Sequence, residues 1–355
     1  MYELMIKASA SQYDVVIGQG CYRESVRDAD YVIADEFLRS TLDSDTIERT
    51  VFVEASEPAK TLATCETVIV GLHALGARRG AVVSAIGGGV IQDVATLVCS
   101  LYMRGLQWVY VPTTAMAMTD SCIGGKSSIN VSGVKNLVGN IYPPRSVFVD
   151  SDFAKTLALS GKVAGLAEAV KICFARGDAA FDEYLSIGLE CEQFGDDART
   201  DALIAHTLQA KKWFVEIDEF DKKERQLLNF GHSFAHALEP AVGFSIPHGV
   251  AVAIGVLAAL QHPRSISTPS TERLAEYCRN LVDAVPECVR AVRLSYDGAV
   301  FREAIASDKK NTNRDFRLVL PQRGGALELI SIGRTAASID DAERAMANAL
   351  GAFSA

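Results

Sequence analysis

Short apolar runs alternate with helix-length segments over the part of the chain that ends at Asp150. Runs with the length and residue content of buried strands are YDVVIG, DYVIADEFL, TVFVEA, AVVSAIG, LQWVYVP and PPRSVFVD. Between two of them, VIQDVATLVCSLYMRG has helical spacing. Buried strands separated by helices are typical of a parallel sheet covered on both faces. The sequence therefore predicts an α/β domain with a parallel sheet over residues 1–154.

Helical patterns dominate from about Lys155 onward. Segments of helical length are KVAGLAEAVKICFAR, DALIAHTLQAKKWFVEID, LLNFGHSFAHALEPAV, HGVAVAIGVLAALQH and TERLAEYCRNLVDAV. Near the end, FRLVLPQ and ALELISI are predicted to form a late pair of strands. We therefore predict a second, mainly helical domain over residues 155–355.

Charge and composition exclude some functions. The formal net charge is -9, whereas a nucleic-acid-binding protein normally presents a basic face. No apolar stretch reaches about 18 residues, so no membrane span is expected. The first residues lack the pattern of a signal peptide, and the eight cysteines form no CxxC pair. We expect a cytoplasmic protein with reduced thiols.

Three glycines, Gly87 to Gly89, stand between a predicted strand and a predicted helix. Glycines at such a turn let the backbone approach a phosphate group, whose charge the helix N-terminus favours. Because GGGVIQD departs from GxGxxG, a pyrophosphate site and a simple tight turn both fit it. Asp93 follows in the first turn of the helix, where a carboxylate also interacts favourably with the helix dipole.

Two histidines, His232 and His236, are four residues apart in LNFGHSFAHALE and therefore share one helix face. Such a pair suits metal ligation, but an isolated pair is also common among ordinary buried histidines. His248 begins another apolar helix, and Glu168 lies in GLAEAVK. One carboxylate and two imidazoles leave an open coordination position, as in catalytic zinc sites. Glu168, His248 and the histidine pair are therefore candidate metal ligands.

Several basic side chains lie in otherwise uncharged, glycine-rich segments. Lys126 lies in DSCIGGKSSIN, and Lys135 precedes Asn136 in GVKNLVG. Such donors suit an anionic, polyhydroxylated substrate, although a single lysine is more often a solvated surface charge. Further basic candidates, outside such segments, are Lys171, Lys211, Arg225, Lys309 and Lys310.

Eight motifs in chain order resemble the 3-dehydroquinate synthases of the sugar phosphate cyclase superfamily. They are AIGGGVIQD, LYMRG, VPTTAMAMTDSCIGGKSSIN, GVKNLVG, GLAEAVK, RQLLNFGHSFAHALE, HGVAVAIG and SDKKNTNRDFRLVLP. The resemblance covers nearly the whole chain. It implies a Rossmann-like NAD-binding domain, a C-terminal helical metal-binding domain and a homodimer.

The resemblance also implies roles for individual residues. The implied ligands of a divalent ion, zinc or alternatively cobalt, are Glu168, His232 and His248. The implied catalytic residues are Asp120, Lys171 and Lys211 near the reacting hydroxyls, with Lys126 and His236 at the phosphate end. Implied substrate contacts are Arg225 at the carboxylate, Asn136, Asn229 and one of Lys309 or Lys310 near the phosphate, and Arg104 reaching the partner subunit's site. The implied NAD-binding residues are Asp35, Glu57, Lys60, Gly88, Gly89, Asp93, Thr113, Thr114 and Lys135.

The implied reaction converts 3-deoxy-D-arabino-heptulosonate 7-phosphate to 3-dehydroquinate, a step of the shikimate pathway. NAD would remove a hydride and return it after phosphate has left, so the cycle needs no second redox substrate.

Other functions stay open at this point. Valiolone-type and deoxy-inosose synthases share the motifs, but Arg225 and the unaltered Gly-Gly-Lys126 and Leu-Asn229 segments favour a keto-acid substrate. An amino-dehydroquinate synthase stays an alternative, because its substrate would keep the carboxylate and phosphate contacts. Tyr142 and Pro143 depart from the family's usual residues. A metal-dependent glycerol dehydrogenase would share the architecture, although it usually carries a histidine where Ile172 stands. A non-catalytic protein that binds sugar phosphates is a third alternative.

Overall fold

A computed structural model describes residues 1–9, 11–308, 311–312 and 314–353. Its contacts divide the chain into two compact units. The first comprises Met1–Leu157 and Phe194–Glu219, and the second comprises Ala158–Gln193 and the chain from Phe220 onward. The predicted substrate residues Lys309 and Lys310 lie outside the described residues.

The first unit contains a sheet of seven strands and a separate hairpin among its described residues. The strands of the sheet are β1 (Tyr2–Lys7), β2 (Gln12–Ile17), β3 (Tyr31–Asp35), β4 (Thr50–Val53), β5 (Val82–Gly87), β6 (Gln107–Pro112) and β9 (Ser146–Val149). The hairpin consists of β7 (Ile129–Val131) and β8 (Val134–Val138). The helices are α1 (Tyr22–Arg27), α2 (Ser44–Glu48), α3 (Leu62–Ala74), α4 (Gly89–Leu101) and α7 (Arg199–Ile217).

The sheet has the order β1-β2-β9-β6-β5-β3-β4, and only β1 pairs in the antiparallel sense with its neighbour among these described strands. One face is covered by α1, which adds Val26 to a core with Val32 and Val111. Residues on the opposite face, such as Ile33 and Tyr110, are fully buried as well, and α4 packs on β3, β5 and β6. The predicted parallel α/β sheet is confirmed, and its central strands β3, β5 and β6 are buried on both faces, as in a sheet covered by helices on both sides.

The hairpin of β7 and β8 is absent from the sequence-based prediction. Its two turn residues, Ser132 and Gly133, have φ values of 52° and 78°. Two consecutive positive φ angles define the type I′ turn that closes a two-residue hairpin. The Ser-Gly pair between β-branched residues was the signal available in the sequence.

The second unit is mainly helical. Its helices are α5 (Leu159–Arg176), α6 (Asp178–Ile187), α8 (His232–Ala241), α9 (His248–Gln261), α10 (Pro269–Asp283), α11 (Pro286–Ser295), α12 (Gly298–Ser307) and α13 (Ala336–Gly351). The predicted late strand pair is present as β10 (Asp315–Pro321) and β11 (Leu327–Gly333), which are antiparallel. Buried residues run without interruption along α9 from Gly249 to Ala259. A helix that is apolar all round must be enclosed, and α5, α8, α10 and α13 pack around it.

The segment Phe194–Glu219 departs from the expected single boundary after residue 154. It contains α7, which packs on β1 and β2. Carboxylates near the end of this segment accept hydrogen bonds from the backbone at the end of the edge strand. Lys7 N, in the last residue of β1, donates to Glu216 at 2.9 Å, and Ser9 N, just beyond the strand, donates to Glu219 at 2.7 Å. Because these contacts join residues far apart in the chain, helical periodicity alone cannot reveal them.

No helix among the described residues has the length and apolar character needed to cross a membrane.

Candidate active site

The predicted metal ligands meet in the second unit. Glu168 lies on α5, and its Oε1 is 3.6 Å from His232 Nε2 on α8 and 3.5 Å from His248 Nε2 on α9. Ligands held at about 2.1 Å by one tetrahedral ion lie roughly 3.4 Å apart. The three atoms are therefore spaced as one bound ion requires.

The other ring nitrogen of each histidine faces a hydrogen-bond acceptor. His232 Nδ1 lies 3.2 Å from the carbonyl oxygen of Phe230, and His248 Nδ1 lies 3.1 Å from Glu239 Oε1. Since both partners only accept, Nδ1 carries the proton and donates it in each case. The Nε2 lone pairs are then directed towards Glu168, which is the form of histidine that binds a metal ion. The residues present fit a zinc or cobalt ion.

Two glycines bring the ligand-bearing helices close together. A Cβ built on Gly249 of α9 would stand 2.5 Å from Ala164 Cα of α5. A Cβ on Gly255 would stand 2.9 Å from Ala235 N of α8. Only glycine permits such backbone approach. The close packing of α9 on both neighbours sets the spacing of the three ligands.

A third imidazole borders the same cluster. Ligand atoms of His232, His236 and His248 all lie within 4.8 Å of one another. The ring of His236 stacks on that of His248, with centroids 5.7 Å apart and an interplanar angle of 26°. The geometry thus offers a donor set with Glu168 and another of three histidines. Glu168 supplies a negative charge that an imidazole lacks, which favours the set that contains it.

Buried charges surround the cluster. Lys171 lies one helical turn after Glu168 and contacts its Oε2, and each side chain is only 2% exposed. The ammonium offsets the cost of burying the carboxylate. Burial lowers the pKa of His248, but the hydrogen bond to Glu239 and the charge of Glu168 raise it more, so the net pKa lies above its usual range.

Arg225 and Asn229 lie in a short 3-10 turn, Glu224–Asn229, just before α8. The Arg225 side chain is buried, and Asn229 Nδ2 donates to the Gln226 carbonyl oxygen at 3.1 Å. A guanidinium presents a planar fork of donors that matches a carboxylate. The second unit thus places the predicted carboxylate contact next to the helix that carries His232.

In the first unit, Lys211 of α7 pairs with Asp120. Its Nζ lies 2.8 Å from Asp120 Oδ1 and donates to the Ile123 carbonyl oxygen at 3.1 Å and to that of Asp120. Asp120 belongs to a π-helical turn, Ala117–Ser121. Such turns are frequent at functional sites. The structure thus brings together two residues predicted to contact the substrate.

Several predicted NAD-binding residues lie at the carboxyl ends of three neighbouring strands. Asp35 ends β3, Gly88 and Gly89 follow β5, and Thr113 follows β6. The chain reverses its direction across the sheet between β3 and β5, and ligands of open α/β sheets bind at such switch points. A Cβ on Gly89 would meet no atom within 4 Å, so the chain leaves space for a ligand at this residue, whereas a Cβ on Gly88 would stand 2.7 Å from Thr114 Cγ2. The position favours the phosphate-binding interpretation of the glycine run.

Three other predicted NAD-binding residues, Glu57, Lys60 and Asp93, form a polar network with the hairpin. Lys60 Nζ donates to Asn136 Oδ1 at 2.8 Å and lies 3.2 Å from Asp93 Oδ2 and 3.5 Å from Glu57 Oε1. Burial raises the pKa of Asp93 to about 6, although the charge of Lys60 lowers it in part. Asn130 Nδ2 also donates to Glu57 Oε1, at 2.8 Å. Asn136, predicted as a substrate contact, is thus held by residues predicted for NAD.

The remaining predicted residues of the first unit are more exposed. Arg104 is exposed on a turn where it and Met103 both have positive φ, 66° and 50°. Lys126 is half-buried, and its backbone forms an isolated antiparallel β-bridge with Ile141. Lys135 lies on the exposed strand β8. Their predicted roles stay predictions.

Sequence reasoning missed one polar residue near these sites, Glu239, and assigned no role to another, Tyr142. Glu239 on α8 contacts His248 on α9. It is the last residue of the motif LNFGHSFAHALE, and this position was the signal available in the sequence. Tyr142 Oη donates to the Leu106 carbonyl oxygen at 2.9 Å, and Tyr142 N donates to the Gly125 carbonyl oxygen at 2.8 Å. Tyr142 therefore ties the turn after Arg104 to the glycine-lysine segment, which gives this atypical residue a structural role.

Comparison with known proteins shows to which family the chain belongs. Residues 50–163 match the 3-dehydroquinate synthase N-terminal family, and residues 165–311 match the 3-dehydroquinate synthase C-terminal family. The chain belongs to the 3-dehydroquinate synthase family. A 3-dehydroquinate synthase of Xylella fastidiosa (strain 9a5c) is 37% identical over 285 residues, which are 78% of this chain and 71% of the relative. The predicted family and the enzyme class, a phosphate-eliminating cyclase of the lyase type, are confirmed.

Solved structures show the same fold. A 2-deoxy-scyllo-inosose synthase complexed with carbaglucose-6-phosphate, NAD+ and Co2+ matches with a TM-score of 0.84 at 20% identity, over 98% of this chain and 99% of that one. A 2-epi-5-epi-valiolone synthase from Streptomyces hygroscopicus subsp. jinggangensis 5008, with NAD+ and Zn2+ bound, matches with a TM-score of 0.78 at 24% identity, over 96% of this chain and 98% of that one. The predicted fold of this synthase family is confirmed.

Proposed function

We propose that this member of the family converts 3-deoxy-D-arabino-heptulosonate 7-phosphate to 3-dehydroquinate with release of phosphate. The observation that carries the proposal is the cluster of Glu168, His232 and His248, with both Nε2 atoms directed at one carboxylate oxygen. It occurs in a chain whose curated relative is a 3-dehydroquinate synthase. Membership in this family does not favour the dehydrogenase alternative.

The proposal includes two cofactors, NAD and a zinc or cobalt ion. Bound at Glu168, His232 and His248, the ion would polarise substrate hydroxyls, and NAD would accept and return a hydride. Related folds were solved with both kinds of group. The backbone of Gly88 and Gly89 would approach the pyrophosphate. Asp35, at the end of β3, would accept hydrogen bonds from hydroxyl groups of the nucleotide.

The chain's own side chains would hold the substrate. Arg225 would bind the carboxylate through its planar donor fork. Asp120, Lys171 and Lys211 would contact the reacting hydroxyls. The predicted phosphate contacts are Lys126, Asn136, Asn229 and His236. This choice of substrate is supported by Arg225, whose guanidinium is buried and presents a planar fork of donors that matches a carboxylate.

We also propose that two copies form a homodimer in which Arg104 serves the partner's site. Left-handed backbone at two successive non-glycine residues, Met103 and Arg104, is costly and often occurs at functional positions. The cytoplasmic location stays a prediction.

A phosphate-release assay tests the proposal. The purified protein, with NAD and Zn2+, would be given the heptulosonate phosphate, its amino analogue, sedoheptulose 7-phosphate and glucose 6-phosphate in separate reactions. We expect phosphate from the heptulosonate phosphate and no net gain in NADH absorbance. Preferred turnover of glucose 6-phosphate, or accumulation of NADH, would contradict the assignment. Arg225→Lys serves as the matched variant, because it keeps the charge and removes the planar fork.

A further inference from the structure

Glu239 lies next to the ligand cluster and has no role in the function proposed above. It is the eighth residue of α8, which begins at His232. Residues seven apart on a helix share one face. The same face of α8 therefore carries one metal ligand and, two turns later, the carboxylate that contacts a ligand of α9.

The contact has the geometry of an orienting hydrogen bond. Glu239 Oε1 lies 3.1 Å from His248 Nδ1, while His248 Nε2 lies 3.5 Å from Glu168 Oε1 on the other side of the ring. A carboxylate cannot donate when ionised, so this bond selects the tautomer protonated at Nδ1. The lone pair of Nε2 is then the one that faces the cluster.

The two histidine ligands differ in what fixes them. His232 Nδ1 is held by the carbonyl oxygen of Phe230, two residues earlier in the chain. His248 is the first residue of α9, and 31% of its side chain is exposed. Its ring is therefore more dependent on a side-chain partner, and Glu239, with 17% of its side chain exposed, supplies it.

We propose that Glu239 is a positioning residue that fixes the ring and tautomer of His248 for metal binding. This inference rests on the proposed metal-dependent function. Partners of this kind hold metal-bound histidines in place and make them more basic, and losing one typically weakens metal affinity by about 10- to 100-fold.

Two variants of similar shape isolate the effect. Glu239→Met removes the acceptor and keeps an unbranched side chain of similar length, whereas Glu239→Gln keeps an oxygen that can accept from Nδ1. Glu276→Gln, on the exposed face of α10, is the matched control for loss of one carboxylate. Zn2+ affinity is measured by competition with a chromogenic chelator. We expect a loss of about 10- to 100-fold for Glu239→Met, a smaller loss for Glu239→Gln and none for the control.

Equal affinities of Glu239→Met and the unmodified protein would overturn the inference, as would equal losses in Glu239→Met and Glu239→Gln. A second readout needs no metal. Long-range 1H–15N spectra of histidine-labelled, metal-free protein at high pH should show His248 protonated at Nδ1, and Glu239→Met should shift it towards a mixture of tautomers. An unchanged tautomer would also overturn the inference. If the unmodified protein bound no Zn2+, the proposed metal-dependent function would be contradicted. The spectra would still decide whether Glu239 fixes the tautomer of His248.

Discussion

Gly249→Ala tests whether helix packing sets the metal geometry. The added Cβ would stand 2.5 Å from Ala164 Cα, whereas carbon atoms in good contact lie at about 3.5–4.0 Å. Relief of the overlap requires α9 and α5 to separate by roughly 1 Å. The Glu168 Oε1 to His248 Nε2 distance, now 3.5 Å, would then grow to about 4.5 Å, too long for two ligands of one tetrahedral ion.

Two quantities should change together. Overpacking of this kind costs about 1–3 kcal/mol of the free energy of unfolding, which urea denaturation of the metal-free protein would measure. A misplacement of about 1 Å can cost roughly 100-fold in activity, so we expect a loss of that order in phosphate release. Zn2+ affinity, measured by chelator competition, should fall in parallel.

Gly161→Ala is the matched control on α5. A Cβ at Gly161 meets no atom within 4 Å, and alanine is favoured over glycine inside a helix by about 1 kcal/mol. This variant should be as stable as the unmodified protein or slightly more so, with unchanged Zn2+ affinity. If Gly249→Ala kept both stability and affinity, the reasoning from close helix packing would be refuted.

Other side chains of the candidate site give direct tests. Glu168→Gln should abolish phosphate release and lower the retained zinc measured by atomic absorption; full activity after chelation would contradict a metal site. Arg225→Lys should raise KM for the keto-acid phosphate by about tenfold or more, and an unchanged KM would contradict the proposed contact between Arg225 and the substrate carboxylate. Lys211→Met should lower the free energy of unfolding by about 1–3 kcal/mol, because the ion pair between Lys211 and Asp120 is lost; unaltered urea denaturation would argue against a stabilising role of this pair. The pKa of Asp93, about 6, exceeds its unfolded value of about 3.9, so protonation favours the folded chain. This contribution is complete below about pH 4 and is lost as the pH rises through 6. Asp93→Asn should reduce the fall in urea midpoint between pH 4 and 7, and an unchanged slope would contradict the burial argument.

Local patterns in the sequence predicted most elements of the fold. The run AVVSAIG and the helix after it appear as β5 and α4, and FRLVLPQ forms β10 as expected. Burial on one face or on both leaves a periodic trace in the residues themselves. The Ser132-Gly133 hairpin was missed because two positive φ angles leave only a short signal.

For the candidate site as well, the sequence predicted one part and only the folded structure revealed the other. Residue types and motif order identified Glu168, His232 and His248 as metal-ligand candidates, since only a few side chains bind divalent ions well. Spacing along the chain could not show that Nε2, rather than Nδ1, faces the carboxylate. The acceptors at Phe230 and Glu239 decide this, and both become visible only in the folded chain.

By itself, the sequence determined the alternation of strands and helices, the residues able to carry the chemistry and the family. Tertiary structure alone decided that α7 joins the sheet unit. It also decided that Gly249 lets α9 approach α5 closely enough to bring His248 to Glu168. The physical reason is the separation along the chain of the residues that interact. Periodicity records how each residue meets its own helix or strand, whereas a ligand cluster depends on contacts between residues far apart in the chain, which only packing creates.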